Sequence, residues 1–598
     1  MYRPKRLLSL CIGFLLAATV LTACGGGSPT SVPAAPTAAA PATAGSVGGA
    51  ATTAATAATG ATTVPATATK AASATTTPAT TGATGASTSA AGATTAPAIT
   101  GASGGTMTGG FDVGPGGAPQ LFNPLTAGAG FTWYEKYFSH LMIYDVNFTK
   151  LSGDLAESFD ASADAKTYTF HLRKGVTWHD GQPFTSDDVK FSIELYKNPD
   201  SAAIQAARLA NVMSVTTPDP QTAVLNLGAS DVTILDTLAL VIMLPKHSLA
   251  SYAPKDLVKN EWWQTNPIGT GPFKWSKYVP DQYTELVAFD GYWRGRPKLD
   301  KLINRFFKES GSALIALQKG EIQFTYLTLD EADAAKKNAS VTVIPGPSQV
   351  ANHIIFNIRD PRFQDVRVRQ AFQYALDRQQ IVDQLYKGNA TLTPCIFDNP
   401  QYIPKDVTPY KRDVNKAKQL LKDANWNPNM GQPLEIVTYY NDQQSMDVLV
   451  ALQQQLADAG IVVKVRAVDV PTFNGIFSKD MPDFTLAYAG LGNGPDPDST
   501  SIGYLTTSFA PKGSNRSFYS NPDLDKLYLA GRSELDLAKR AAIYQNACKI
   551  ENEQLPDGWL WVAQRFGATT KNVQNFIYTP APGGGRYYDQ AELWTVSK

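Results

Sequence analysis

The stretch Leu155–Lys190, LAESFDASADAKTYTFHLRKGVTWHDGQPFTSDDVK, decides the fold. Tyr168, Phe170 and Leu172 alternate with Thr169, His171 and Arg173, the period of a strand with one buried and one wet face. The polar HDGQP that follows predicts a turn. Thr185–Ser186–Asp187–Asp188 then supplies capping hydroxyls and carboxylates ahead of Val189, Phe191, Ile193 and Leu195, where a helix is expected to begin. Nothing in this stretch carries catalytic chemistry.

Outward from it, the N-terminus sets Arg3, Lys5 and Arg6 before the apolar run Leu7–Val20, which is short for a bilayer span and has the layout of a secretory signal. Leu21–Thr22–Ala23–Cys24 resembles the bacterial lipobox, so residues 1–23 read as a lipoprotein signal peptide and Cys24 as the acylated residue. An ordinary signal peptide with a chance cysteine is the alternative. Each buried lipid methylene contributes about 0.8 kcal/mol, so two or three chains would anchor the protein without a spanning helix. Residues 24–106 are almost wholly Ala, Thr, Gly, Ser and Pro with a single charge at Lys70, a composition that cannot bury a core. As a flexible coil this tether would reach on the order of 50 Å. Gly101–Ala102–Ser103–Gly104–Gly105 matches a hydrolase G-x-S-x-G string but lacks its strand and helix context.

The remaining roughly 490 residues suit two lobes with an insertion. Lys plus Arg and Asp plus Glu both number 52, giving no net charge, which argues against a nucleic-acid partner. Of the four cysteines, only Cys395 and Cys548 lie in the folded part, and both a disulfide and two free thiols stay open.

Further blocks follow in order. Met107–Val113 reads as a first strand. Gly269–Thr270–Gly271–Pro272, within Asn266–Phe307, reads as a structural turn before two strands, because Pro272 has no N–H and no Gly-Lys-Ser/Thr follows. Ala316–Leu327 is ALQKGEIQFTYL; Pro345–Val350 reads as a crossing strand, continued by the apolar His353–Phe356. Val368, Ala371, Phe372, Ala375 and Leu376 form one helical stripe inside DVRVRQAFQYALDR, Asp365–Arg378, whose arginines are expected on a solvated or salt-bridged face. Leu434–Tyr440, Met446–Leu456 and Ile461–Val468 predict a βαβ unit. Ser520–Ala547 reads as helical, and Trp559–Lys598 as a return to the first lobe.

These blocks resemble the bacterial family 5 extracellular solute-binding proteins, which capture oligopeptides, dipeptides, nickel chelates and some sugars for ABC importers. The resemblance runs from about residue 107 to the end; Gln323 departs from it, standing where an aspartate is usual. It implies an α/β, two-lobed periplasmic-binding-protein fold of type II in its large three-part variant, with an interlobe ligand cleft. Lobe I would comprise 107–349 and 560–598, with an inserted subdomain at about 145–262, and lobe II 350–559. The implied role is that of a lipid-anchored, extracytoplasmic, monomeric receptor that closes on a solute and delivers it to permease subunits with their ATPase. No enzyme activity, cofactor, metal or nucleic acid is implied.

In the peptide-binding members, a second-lobe aspartate just before an Asp-Pro pair holds the ligand's amino group. In Ala487–Thr500, AYAGLGNGPDPDST, that place falls on Gly492 or Asn493. A buried ammonium without a counter-charge costs several kcal/mol, so this departure disfavours a free-amine ligand unless Asp496 turns inward. Otherwise Asp496 and Asp498 are turn residues around proline. The candidate ligand-binding set is Trp133, Tyr134, Tyr402, Tyr488, Asn493 and Asp496, with Gln349 and Asn352 near the hinge. Aromatic walls with a few polar groups suit a peptide, a sugar or another mid-sized polar solute, although each aromatic also reads as core. Tyr488 follows Phe484 and Leu486 at strand spacing and is expected on their face. The five histidines lack ligand spacing, leaving a nickel chelate bound through His353 alone as a minor alternative. A surface solute sensor would use the same cleft. A tethered hydrolase would need a nucleophile with a His partner or paired carboxylates, and no such set assembles.

Overall fold

The computed structural model describes residues 104–113, 122–126, 134–148, 150–431, 433–479, 482–492, 494–511, 513–577 and 587–597. The signal segment, Cys24, the tether up to Ser103, and Trp133 and Asn493 of the candidate set lie outside the described residues.

Thr167–Leu172 forms the expected strand, with Tyr168, Phe170 and Leu172 buried on one face. It pairs antiparallel with Ala156–Ala161 and Thr222–Leu227, and Val212–Asp219 completes a four-stranded sheet. The helix Ser186–Lys197 starts at Thr185, whose N–H donates to the Asp188 carboxylate at 2.9 Å, so the acidic residue closes the orphan donor that opens the helix. His179 locks this segment to a distant one. Its Nδ1 accepts from the Gly269 N–H at 3.1 Å and its Nε2–H donates to the Gly271 carbonyl at 3.1 Å. The glycines of that turn are required by close approach, since a Cβ on Gly269 would stand 1.6 Å from the Tyr137 carbonyl oxygen.

A larger mixed sheet runs in the order Lys464–Ala467, Glu435–Thr438, Leu486–Gly492, Val341–Phe356, Asp557–Thr570, Phe324–Leu327, Thr106–Asp112, Lys301–Phe307, Tyr283–Ala288 and Phe273–Val279. Val341–Phe356 and Asp557–Thr570 lie in its middle and pair antiparallel, with Val341 opposite Thr570 at one end and Ile355 opposite Asp557 at the other. They therefore belong to two cores. Val341, Phe566 and Ala568 pack with Leu314 and Leu317, whereas Ile354, Phe356 and Trp561 pack with Val368, Phe372, Leu449 and Leu486. Between them the register shifts, and Gln349 adopts a left-handed φ of 53°. The first strand carries two extra residues between Pro347 and Ala351 and the second carries one opposite Asn352–His353, so the ladder is interrupted where one core gives way to the other.

Glu435–Thr438 and Lys464–Ala467 pair in parallel around the helix Gln443–Asp458, the expected βαβ unit. Its last strand starts three residues later than the alternation predicts. Ile461 and Val463 are buried, but the chain is still leaving the helix through Gly460. The helix Val366–Ala375 buries Val368, Ala371, Phe372 and Ala375 as the stripe predicts. Of its arginines only Arg367 is exposed and salt-bridged, to Asp365. Arg369 and Arg378, expected on a wet face, are buried. Arg369 donates to the carbonyls of Gln554 and Leu555 at 2.7 and 2.9 Å, and Arg378 to those of Trp559 and Pro409 at 2.8 and 2.7 Å. The guanidinium forks satisfy main-chain carbonyls at the end of the helix Leu537–Gln554, in the crossing strand and at Pro409. Cys395 and Cys548 are joined in a disulfide, which resolves the alternative left open by composition.

Candidate ligand site

Beside the crossing strands lies a cavity of about 260 Å³. His353 and Ile355 line it from Val341–Phe356, Asp557 from the start of the second crossing strand, and Ala489–Gly492 from the neighbouring strand. Ser499, Thr500, Tyr504, Ser514 and Arg516 close it from the segment that follows. Leu486–Gly492 is paired with Glu435–Thr438 only as far as Tyr488, so Ala489–Gly492 has a strand neighbour on one side, Val350–His353, and none among the described residues on the other, where the Gly490 N–H donates to the Tyr439 hydroxyl at 3.3 Å. Gly490 is needed there: a Cβ would meet the Tyr440 hydroxyl at 2.4 Å and Val350 Cγ1 at 2.5 Å.

The charge in the cavity comes from two residues. Asp557 is 1% exposed; its Oδ2 accepts from His353 Nδ1 at 2.8 Å and from the Tyr504 hydroxyl. Its Oδ1 is buried and has no hydrogen-bond partner among the described residues. Burial, reinforced by the Asp557 charge, holds the Tyr504 phenol well above its ordinary range, so it stays protonated and donates. The His353 ring lies parallel to Trp559, with centroids 5.2 Å apart, which fixes its plane. Arg516 is half-buried against the rings of Phe477 and Phe473, at 4.7 and 5.6 Å, and desolvation pushes its guanidinium below its usual range.

The residues singled out from sequence stand elsewhere. Both oxygens of Asp496 are held by Arg540, and those of Asp498 by Arg532. Tyr488 is buried in the second core with Leu486, against Tyr440 at 5.5 Å; Phe484 precedes the strand and packs in a different cluster with Ala487 and Ala489. Tyr402 is packed between Phe397 and Tyr544, and borders a small crevice with Pro497 and Thr500. Tyr134 lies in the first core against Tyr137 and Phe138. Asn352 Nδ2 donates to the Tyr440 hydroxyl at 3.5 Å, and Gln349 marks the bulge. None of these lines the 260 Å³ cavity. His353, weighed from sequence only as a metal ligand, does line it; Tyr504, Arg516 and Asp557 carried no local signal.

A second cavity, of about 480 Å³, opens between the halves of the sheet. Asp112, Tyr326 and Thr328 face it from one side, and Tyr386, Asn389, Asp442 and Gln444 from the other. Ala563–Phe566 of the second crossing strand form its floor.

Two cores on one sheet, joined by crossing strands with cavities of mixed lining beside the crossing, are the architecture of a solute-binding protein of two-lobed α/β type. The chain belongs to the bacterial extracellular solute-binding proteins, family 5, whose middle region matches residues 150–512. It is 46% identical over 496 residues to a Brucella melitensis protein named for ABC transporter peptide binding, covering 82% of this chain and 94% of that protein. The structure is similar to the ABC transporter substrate-binding protein CtaP of Listeria monocytogenes, with a TM-score of 0.74 at 26% identity, covering 83% of this chain and 100% of that one. It is also similar to the oligopeptide-binding protein AppA of Bacillus subtilis, solved with a nonapeptide, with a TM-score of 0.69 at 26% identity and coverage of 83% and 99%.

Proposed function

We propose that this chain captures a peptide by closing two lobes about the bulge at Gln349 and delivers it to ABC permease subunits, doing no chemistry on it. The lobes are 107–349 with 560–598, carrying an insertion at about 145–262, and 350–559. Acylated Cys24 and the tether hold the receptor, a monomer, outside the membrane. The observation that carries the ligand reading is the cavity beside the crossing strands, where a carboxylate with an unpartnered oxygen, a guanidinium and a strand edge without a strand neighbour among the described residues come together. An extended peptide offers each its complement: an amine for Asp557 Oδ1, and main-chain groups for Ala489–Gly492. Every residue lining that cavity belongs to 350–559, so closure is driven only to the extent that groups of the other lobe, brought over it, contact the ligand better in the closed form.

The test is a thermal-shift measurement on the full chain with mixtures of tri- to pentapeptides, oligosaccharides and nickel–histidine. Stabilisation confined to the peptides is expected; a shift with only sugars or nickel–histidine would overturn the peptide reading. For the anchor, Cys24→Ala should move the protein out of the membrane fraction, and its persistence there would sink lipidation.

A further inference from the structure

We infer that Arg516 is the anion anchor of this site and clamps a carboxylate of the captured solute, an inference that rests on the peptide-capture reading. The other arginines buried in this half of the molecule are matched. Arg540 and Arg532 face Asp496 and Asp498 with two donors each, and Arg369 and Arg378 fill their forks with main-chain carbonyls. Arg516 differs: its hydrogen bond within the described residues is one contact of 3.4 Å from Nη2 to Asn474 Oδ1, and it forms no ion pair there. A guanidinium carries five N–H donors, so most of this fork has no protein acceptor while the group is already half withdrawn from water.

Its orientation is fixed all the same. Phe473 and Phe477, both on the helix Val470–Phe477, hold the charge over their rings. Ring contacts use no N–H donor, so the donor edges remain for a bidentate acceptor. The group lines the cavity that also holds Asp557, whose charge acts on Arg516 without a hydrogen bond between them. That carboxylate disfavours a doubly charged phosphate nearby, so a singly charged carboxylate fits better. A peptide has two sources for one, its C-terminus and an acidic side chain.

The test is calorimetric titration of the full chain and its R516Q and R516K variants with a mixture of unmodified tri- to pentapeptides, and with the same mixture amidated at the C-terminus. R516Q should bind the unmodified mixture roughly tenfold to a hundredfold more weakly than the parent, the range for a hydrogen bond to a charged group. R516K, which keeps the charge without the fork, should fall between. If the C-terminus is the source, amidation weakens the parent as much as R516Q does and leaves R516Q unchanged. If an acidic side chain is the source, amidation is harmless and a mixture lacking Asp and Glu reproduces the loss. Equal affinity of parent and R516Q for the unmodified mixture overturns the anchor. Should neither mixture bind the parent, the peptide reading fails and citrate and succinate decide the anchor separately. Binding lost in R516Q would support it, and an equal or absent response in both proteins would overturn it. Unliganded denaturation midpoints show which variants are folded, and R516K serves if R516Q is not.

Discussion

Both oxygens of Asp496 meet the Arg540 guanidinium, Nη1 to Oδ2 at 2.7 Å and Nη2 to Oδ1 at 2.8 Å. Arg540 also donates through Nε to the Gly531 carbonyl at 2.7 Å, tying the proline-rich loop to both closing helices, Pro522–Ser533 and Leu537–Gln554. The acid nearest the expected amine-holding position is thus held in an ion pair. Breaking a buried pair from one side leaves an uncompensated charge, so Asp496→Asn should lower stability by about 3 kcal/mol in denaturant titrations. Peptide affinity of the folded fraction should be unchanged. Lost affinity at unchanged stability would instead make Asp496 the amine ligand.

On the proposed peptide reading the counter-charge is Asp557. Asp557→Asn should weaken binding of free-amine peptides by roughly tenfold or more. N-acetylated peptides should bind the parent weakly, and the variant should no longer distinguish them from unmodified ones. Calorimetry with paired peptides checks this, and a variant that still prefers the free amine would exclude Asp557.

What could be read from the sequence was whatever is local. Tyr168, Phe170 and Leu172 announce their strand, and Val368, Ala371 and Phe372 their helix, because burial on one side imposes a period of two or 3.6. The crossing strand was legible through family resemblance, which is also what sets the expectation that Gly492 or Asn493 stands in the place of the usual aspartate. The cavity was not, because His353, Tyr504, Arg516 and Asp557 come from separate segments and each is a single polar residue in ordinary surroundings. Arg369 and Arg378 misled for a related reason: arginine is mostly exposed, and the carbonyls that satisfy these two are invisible to pattern. At Tyr488 the alternation assigned a side but could not say that this side is the core.

Cys395 and Cys548 are 153 positions apart, and both are buried where the segment before Pro400 meets the helix Leu537–Gln554. Closing a loop of that length removes chain entropy from the unfolded state worth about 5 kcal/mol in the entropic picture. The double variant Cys395→Ala/Cys548→Ala should therefore show a clearly lower thermal midpoint. In denaturant, the parent should yield two more titratable thiols after reduction than before. An unchanged midpoint would mean that the bond constrains little.

Acid should act on the turn that His179 holds. Desolvation of its ring, packed edge-on against Phe289, pushes its pKa down to about 4, and Nδ1 must stay unprotonated to accept from Gly269. Between the unfolded value of about 6.5 and this lower one, the unfolded chain binds the extra proton. Stability from His179 is therefore full above pH 6.5 and falls as the pH drops toward 4, by on the order of 3 kcal/mol. Glu551 tilts the other way. Buried beneath Tyr528 and the Ile396 N–H, its carboxyl is raised to about 8, so its contribution is full below about pH 4.5 and is lost as the pH rises through 8. The two slopes oppose each other in the parent and separate in variants. Between pH 4.5 and 6.5 the two slopes nearly cancel in the parent, so His179→Gln should unmask a gain in stability as the pH falls through that range, whereas Glu551→Gln should unmask the acid loss there and remove the decline between pH 6.5 and 8. Denaturant midpoints across pH 4.5–8.5 measure both. Parallel curves for parent and His179→Gln would show that this ring does not couple the Gly269 turn to acid.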